Sequence, residues 1–582
     1  MSRATRVSVV LSLLTTVAIA MLAVPGFAGK RVGDAGIPKN YVVSVPGEWG
    51  AAEDAAVAAA GGTVLFKHAG AGIATVMSAS GDFASSLPGG MQAEEDIFVE
   101  WQKPVDVTEQ VDASEEAATS GDETFVNLQW NIKAINAQAA WNATNLTGAG
   151  ARVAIVDGGL YNTHIDLVGN VDVARSASFV PGFNYNQDTG TFWHATHVAG
   201  IVAAADNAIG TIGVAPGATL IGVKVLHNGS GSFGQVIAGI LYAATSIADG
   251  GGGANIINMS LGARFPRGDG NTGAGRLVAA LNKAVGYATG HGVLCVVSAG
   301  NDGVDADHNS SEIITPAQAG SAFCVSATGP VGYAVGYPNG ATNFSRPASY
   351  TNFGNSLVNV AAPGGDFALP GNALCTVPRV PAGTVTTNCW VMDMVMSTVR
   401  GSGPSISTYS WTAGTSMAAP VVSGIAALLV QQNPGISVGD LKNTIGNSAQ
   451  VVTTEGDPFY GKGFVDALAA VTAGAAPARQ QVAQSGIDMA RSLGGVATLP
   501  NPARTQARMH FNLPAAGQAS LAVFDANGRR IRVLANGFLS AGDHSVAWDM
   551  KDELNRNVAP GLYFTTLNFG GQSTRGRVVV IP

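Results

Sequence analysis

Three residues far apart in a chain of 582 have the types that acyl-transfer chemistry needs: Asp157, His194 and Ser416. Ser416 stands in Gly414-Thr415-Ser416-Met417-Ala418-Ala419-Pro420, directly before a run from Val421 to Val430 that is apolar nearly all round. Such a run predicts a buried helix. Pro420 predicts that the first helical turn falls there, where a missing N–H breaks no ladder bond. Ser416 then sits where a loop enters a helix, near unpaired backbone donors and the positive dipole end. A serine attacking an acyl carbon needs a base, a carboxylate to orient that base, and donors for the oxyanion. Asp157 ends the apolar run Val153-Ala154-Ile155-Val156, and His194 precedes the buried-helix text His197 to Ala205. Asn301 follows Gly300 at the end of another apolar run, Val293 to Ala299, and carries an amide donor. His197 is expected to hydrogen-bond within its helix, His164 and His291 to be partly exposed or turn histidines, and Ser423 to be a small packing residue.

The elements that must hold these residues alternate from Asn127 onward. Strand text at Val153–Val156, Leu220–Leu226, Ile256–Leu261 and Val293–Ala299 is interleaved with helical text at His197–Ala205, Ser232–Ala248 and Leu277–Ala288. Continuous apolar strands between helices imply an α/β domain, a parallel sheet with helices on both faces. Ligands in such sheets bind outside the carboxyl ends of the strands, where Asp157 and Asn301 fall. Before this domain, Tyr41 to Glu100 reads β-α-β-β-α-β, the order of a small ferredoxin-like α+β sandwich, with its last strand at Asp96–Glu100. Val105 to Glu123 is acidic and poor in large apolar groups, as a linker is. Ala362 to Trp411 reads as loop or hairpin insertion. An Ala/Gln/Gly-rich linker follows Val471, and from Leu499 short alternating runs with turn signals predict an all-β sandwich.

Composition bounds the function. With 46% hydrophobic residues the chain can bury large cores, and a net charge of -8 with no basic stripe excludes nucleic acid as main partner. Arg3 and Arg6 precede an apolar run from Val7 to Val24, and small Gly26 and Ala28 suit cleavage after Ala28. An export signal at 1–28 is expected, with no transmembrane anchor once it is cleaved; a retained anchor is the other reading of that run. Export permits disulfides, and four cysteines allow three connectivities. Cys375–Cys389 is favoured as a local staple, while Cys295 and Cys324 pair or remain buried thiols.

The local texts carry a resemblance. Val153-Ala154-Ile155-Val156-Asp157-Gly158-Gly159, His194-Ala195-Thr196-His197-Val198-Ala199-Gly200 and Gly414-Thr415-Ser416-Met417-Ala418-Ala419-Pro420, with a fourth box at Ala299-Gly300-Asn301-Asp302-Gly303, resemble the subtilisin-like (S8) serine peptidase family. Asp, His, Ser is also that family's order. The likeness covers roughly residues 125 to 472. It implies Ser416 as nucleophile, His194 as general base and then acid, Asp157 as orienter, and Asn301 with the Ser416 N–H as oxyanion donors. Ser260-Leu261-Gly262 would pair with substrate backbone by β-augmentation. With Ala299 and Gly300 it would wall the pocket for the residue before the cleaved bond. The pocket floor falls in Ile313 to Phe323, where no acidic residue is evident, so a weak apolar or aromatic preference is expected.

The same resemblance implies no catalytic cofactor and a structural Ca²⁺ at Asp166 and Asn207, with backbone carbonyls completing the oxygen set. Residues 29–104 look like the inhibitor-like propeptide of secreted subtilases, 105–124 like a processing linker, and 473–498 like a second linker. Residues 499–582, with Phe524-Asp525-Ala526-Asn527-Gly528-Arg529 and Gly561-Leu562-Tyr563-Phe564, resemble FlgD-like immunoglobulin-fold modules, which implies either sorting or surface attachment or, equally, a passive stability or binding domain. The expectation is a secreted serine endopeptidase made as a zymogen, acting on polypeptides and inhibited by its own propeptide. Ala195 stands where the family usually has Gly, and Val421 where many members have His. Val421 lies off the chemistry; Ala195 and the C-terminal module motivate the alternative, an inactive subtilase-fold peptide-binding or adhesion protein.

Overall fold

The computed structural model describes residues 37–102, 110–112, 123–474 and 497–581, except 191, 267–273, 310, 402–406, 453–456, 500–502, 505, 514–516, 526–528, 541 and 570–571. The expected export signal and most of both linkers lie outside the described residues. The chain divides into two units, residues 1–476 and 477–582.

In the first unit β1 (Lys39–Ser44), α1 (Ala51–Ala59), β2 (Gly62–His68), β3 (Ile73–Ser78), α2 (Phe83–Ser86) and β4 (Gln92–Glu95) form an antiparallel sheet of order β2-β3-β1-β4. Tyr41, Val43, Val57, Val76 and Phe83 make its small core. The sheet ends at β4, and the strand expected at 96–100 splits off as β5 (Phe98–Glu100). Next come β6 (Gln110–Asp112), α3 (Trp130–Ala134) and α4 (Ala137–Thr144).

The central layer begins with β7 (Arg152–Asp157), β8 (Ala177–Ser178), α5 (His194–Ala203), β9 (Thr219–Lys224), β10 (Ser230–Ser232) and α6 (Phe233–Ala244). It continues through β11 (Ile256–Met259), β12 (Ala263–Pro266), α7 (Ala274–Gly290), β13 (Leu294–Ser298), β14 (Glu312–Thr315), β15 (Phe323–Thr328) and β16 (Val360–Pro363). Seven strands lie in the order β16-β15-β13-β11-β7-β9-β8, and every neighbouring pair is parallel. Side chains alternate across the sheet with period two. Val153 and Ile155 face the layer holding α5, and Ala154 and Val156 face the layer holding α6 and α7. The strand order reverses at β7, with β9 on one side and β11 on the other, which opens a crevice at its carboxyl end.

The expected insertion forms a hairpin, β17 (Leu374–Pro378) and β18 (Thr384–Asn388), then β19 (Val395–Arg400) and β20 (Ser407–Thr412). Cys375 and Cys389 form the expected disulfide at the hairpin. Cys295 and Cys324 are buried and free; the register sets Val297, not Cys295, opposite Cys324. The helices α8 (Thr415–Gln432), α9 (Val438–Ser448) and α10 (Ala467–Gly474) close the unit. α8 is long and apolar enough to cross a membrane, but most of it is buried inside the protein as a core helix. It starts at Thr415, so Pro420 lies a full turn deeper than expected.

Asp96 explains why β5 leaves its sheet. Its carboxylate accepts from Ser232 Oγ at 2.6 Å and from Gly234 N at 3.0 Å, at the N-terminus of α6, where an anion is favoured. β5 then pairs antiparallel with β10, Glu100 opposite Ser230 and Phe98 opposite Ser232.

The second unit holds β21 (Ala497–Leu499), β22 (Ala507–Leu513), β23 (Gly517–Asp525), β24 (Arg530–Leu539), β25 (Gly542–Trp548), β26 (Gly561–Phe569) and β27 (Gln572–Val580). They form two all-β sheets, β21-β22-β25 and β24-β23-β26-β27, around Phe511, Leu521, Val523 and Trp548.

Candidate active site

Asp157 is the last residue of β7 and fully buried, while His194 is the first residue of α5. His194 Nδ1 lies 2.9 Å from Asp157 Oδ2 and 3.1 Å from Oδ1, so the carboxylate holds the ring by one nitrogen and leaves Nε2 for chemistry. α5 is itself anchored, since Ser397 Oγ and Thr398 Oγ1 donate to the His197 and Thr196 carbonyls at 2.8 Å. Only glycine fits at 200, because a Cβ there would meet Thr398 Oγ1 at 2.3 Å.

His197 does not bond within its helix. Its Nε2 meets the Ser410 carbonyl of β20 at 3.1 Å, and burial pushes its pKa down to about 3. His164 is fully buried too, 3.0 Å from the Thr408 carbonyl, with its pKa pushed down to about 4 by burial. Both partners lie more than 200 residues away in sequence, beyond any local reading. His291 is exposed and stacks on Tyr287.

Ser416 lies in the first turn of α8, where helix N–H groups have no partner within the helix. Its hydroxyl donates to the Ser260 carbonyl at 3.3 Å. Pro420 has no N–H for the carbonyl four residues back, which is that of Ser416. Ser260 Oγ donates to this carbonyl instead, at 2.7 Å. Ser260 Oγ accepts in turn from Asn258 Nδ2, whose Oδ1 accepts from Ser423 Oγ at 2.8 Å, so Ser423 does more than pack. Ala195 is buried in the core, and its methyl leaves the Asp157–His194 contact intact. Val421 is fully buried in the same core.

Asn301 is oriented by a residue that sequence reasoning missed. Thr415 N and Thr415 Oγ1 both donate to Asn301 Oδ1, at 2.9 and 2.8 Å, which turns the Nδ2 donor away from them and toward the cleft. Gly300 N donates to Thr415 Oγ1 at 3.0 Å, tying the two loops together. The available signal was the place of Thr415 beside Ser416 in the sequence.

A cleft of about 680 Å³ opens over these groups, lined by His194, Leu261, Gly262, Gly300, Asn301 and Ser416 among others. Ala299 is fully buried, with its carbonyl accepting from Asn352 Nδ2, and Ser298 and Gly300 line the cleft instead. The chain's own residues 99–102 line it as well. Beyond β5, Gly262 N donates to the Trp101 carbonyl at 3.0 Å, and Gln102 N donates to Gly229 O at 3.1 Å. The Trp101 ring packs edge-on against Phe233. Gln102 Nε2 donates to the Ser260 carbonyl at 3.2 Å and lies 2.9 Å from His194 Nδ1.

The residues expected to hold calcium do meet. Asn207 Nδ2 donates to Asp166 Oδ1 at 3.3 Å. Glu123, which sequence reasoning missed, joins them: its Oε1 accepts from Asn207 N and Ala208 N, while its buried Oε2 has no partner. Burial pushes both Glu123 and Asp166 up to about 7. Two buried carboxylates and an orphaned oxygen fit an oxygen-liganded cation. Among the described residues no three His, Cys, Asp or Glu side chains gather as a metal cluster, so Asn207 and backbone carbonyls would complete such a set.

A parallel sheet that brings an Asp–His pair, a helix-opening serine and an amide donor to its carboxyl edge is the scaffold of a serine hydrolase. The Subtilase family profile matches residues 148–477, and the FlgD Ig-like domain profile matches residues 501–569. Subtilisin Savinase of Lederbergia lenta is 35% identical over 345 residues, which is 59% of this chain and 98% of that relative. Alkaline elastase YaB of Bacillus sp. (strain YaB) is 34% identical over 351 residues, 60% of this chain and 71% of its own length. The solved Epidermin Leader Peptide Processing Serine Protease from Staphylococcus aureus shares the fold, at 20% identity and TM-score 0.57, over 75% of this chain and 98% of that one. The chain belongs to the subtilase family and is a subtilisin-like serine peptidase.

Proposed function

We propose that the protein is an exported endopeptidase, made as a zymogen, that works through Asp157, His194 and Ser416. The observation that carries this reading is the Asp157–His194 contact of 2.9 Å beside a helix-opening serine. In the mechanism, His194 Nε2 takes the Ser416 proton as Oγ attacks the substrate carbonyl. Asp157 stabilises the imidazolium without taking its proton. The oxyanion is met by Asn301 Nδ2 and Ser416 N–H. His194 returns the proton to the leaving amine, and water then releases the acyl-enzyme by the same steps. The Ser416 hydroxyl has only to turn from the Ser260 carbonyl toward His194, a loose resting geometry of the kind apo sites show.

Residues 29–104 are assigned as propeptide because residues 98–102 add as a strand along one edge of the cleft, as a substrate would. Residues 1–28 are assigned as signal, 105–124 as processing linker, 125–472 as catalytic domain and 473–498 as linker. The β-sandwich at 499–582 is assigned to surface attachment. A structural Ca²⁺ at Glu123, Asp166 and Asn207 completes the reading; no catalytic cofactor is invoked. Incubated with a fluorophosphonate, the processed protein is expected to label at Ser416 and to digest unfolded protein. Unchanged activity in Ser416→Ala would sink the mechanism.

A further inference from the structure

We propose that a buried ion pair, Asp188 with Lys224, positions Asp157 and His194 and sets the proton affinity of His194. This rests on the peptidase reading above. Lys224 is the last residue of β9 and lies opposite Asp157 in the parallel register with β7. Residues so paired point to the same face of the sheet. Leu220 and Ile155 face the layer holding α5, and the two-residue period puts Lys224 and Asp157 on that face as well. His194, the first residue of α5, meets Asp157 there.

Asp188 reaches the same place from the loop that leads into α5. Its Oδ2 accepts from Gly159 N at 2.7 Å, and its Oδ1 accepts from Thr189 N and Asn228 N at 2.9 and 3.0 Å. One carboxylate thus ties together the loop after Asp157, the loop before His194 and the loop after β9. Gly158 leaves room for it, since a Cβ there would meet Asp188 Oδ2 at 2.5 Å. The Lys224 ammonium lies 3.6 Å from Asp188 Oδ2 and donates to the Leu226 carbonyl at 2.6 Å. Val225 N and Leu226 N in turn donate to the Asp157 carbonyl, at 2.8 and 3.1 Å. The pair therefore grips the chain on both sides of the Asp157 side chain.

The two charges act on His194 with opposite signs. Lys224 is fully buried and Asp188 keeps 9% of its exposure, so protein rather than water lies between them and the imidazole. Burial pushes the Lys224 pKa down, and Asp188 and Asp157 pull it back up. The remaining groups around His194 are weaker partners. His197 is buried with its pKa near 3, and burial also lowers His227, which lies 3.5 Å from Asp188 Oδ1. Arg400 stacks on the Trp193 ring, 5.2 Å from its centre. A proton on His194 is opposed by the Lys224 cation and favoured by the Asp188 anion.

The test is the pH profile of kcat/KM for the processed enzyme on one peptide amide, whose acid limb reports the base of the free enzyme. Lys224→Met removes the cation at similar length and should move that limb up by about one pH unit. Asp188→Asn keeps an acceptor for the loop N–H groups and should move it down by about one unit. Lys224→Arg keeps the charge and should leave the limb near its wild-type place. Loss of packing alone lowers kcat/KM at every pH and does not produce shifts of opposite sign. Limbs that stay in place, or that move the same way in both neutral variants, overturn the proposal and leave the peptidase reading standing. Should Lys224→Met fail to fold, Asp188→Asn decides, and an unmoved limb there overturns it. A wild-type enzyme that cleaves no peptide or unfolded protein, with no labelling of Ser416, overturns both.

Discussion

Asn301 has one amide orientation because its carbonyl oxygen is occupied. With Oδ1 taking two hydrogen bonds from Thr415, a flipped amide would set its NH₂ against two donors, so one orientation wins. Asn301→Ala should therefore lower kcat by about 10²–10³ with KM little changed, the size measured in subtilisin, itself a relative of this chain, for an oxyanion donor. Thr415→Val keeps the Asn301 donor and the backbone bond from residue 415, but removes the hydroxyl bond, one of the two that hold the Asn301 carbonyl. Its kcat should fall by about tenfold, again with KM little changed, as for a positioning residue whose loss loosens the geometry. Steady-state kinetics on one peptide separates the two, and a KM effect in place of a kcat effect would assign Asn301 to ground-state binding.

At the scale of elements, α8 and α5 carry Ser416 and His194, and each is pinned by contacts that local sequence does not reveal. The boxes around Asp157, His194, Asn301 and Ser416 were legible because each is one strand end or one helix start, written in consecutive residues. Pro420 was misplaced by a turn because its helix can continue through it, given the Ser260 hydroxyl that satisfies the Ser416 carbonyl. Asp96 was read as strand because its partners at Ser232 and Gly234 are distant in sequence. His197 shows how such a pin can carry a pH dependence. It is buried neutral between α5 and β20, its Nδ1 without a partner, and its pKa is pushed down to about 3. Between that value and the unfolded one near 6.5 the unfolded chain binds the extra proton. Stability therefore falls as pH falls through this window, by up to about 1.4 kcal/mol per unit from this residue. Urea unfolding of Ser416→Ala protein at pH 7 and pH 5 would measure it, and adding His197→Gln should make the loss smaller. An equal loss in both proteins would remove His197 as the cause.

At the scale of the first unit, one chain folds an antiparallel α+β module and a parallel-sheet domain against each other, with the connecting strand laid in the cleft. Parallel sheets rest on distant pairings and fold slowly, which gives a docked template a physical use. The docking has a charged centre. Asp96 at the α6 N-terminus should matter more than surface pairs such as Arg276–Glu94, and Asp96→Asn in an added 29–104 segment should weaken inhibition of the mature enzyme by about tenfold. An unchanged inhibition constant would shift the affinity to β5 and Trp101. Glu123 adds a second dependence, because it joins the start of the catalytic domain to the 206–211 loop through Asn207 and Ala208. Without a cation, folding buries Glu123 and Asp166 with no positive charge among their electrostatic neighbours. A bound Ca²⁺ would stabilise the folded state by about 2.7 kcal/mol at a hundred times its Kd. Chelation of the processed Ser416→Ala protein should then lower its Tm, and restored Ca²⁺ should raise it. Glu123→Gln removes one carboxylate but keeps the side-chain carbonyl that holds the loop, so its Tm should respond less to the ion. If chelator and Ca²⁺ leave the Tm of both proteins where it was, the loop is held by the Glu123 and Asn207 hydrogen bonds alone and the calcium assignment falls.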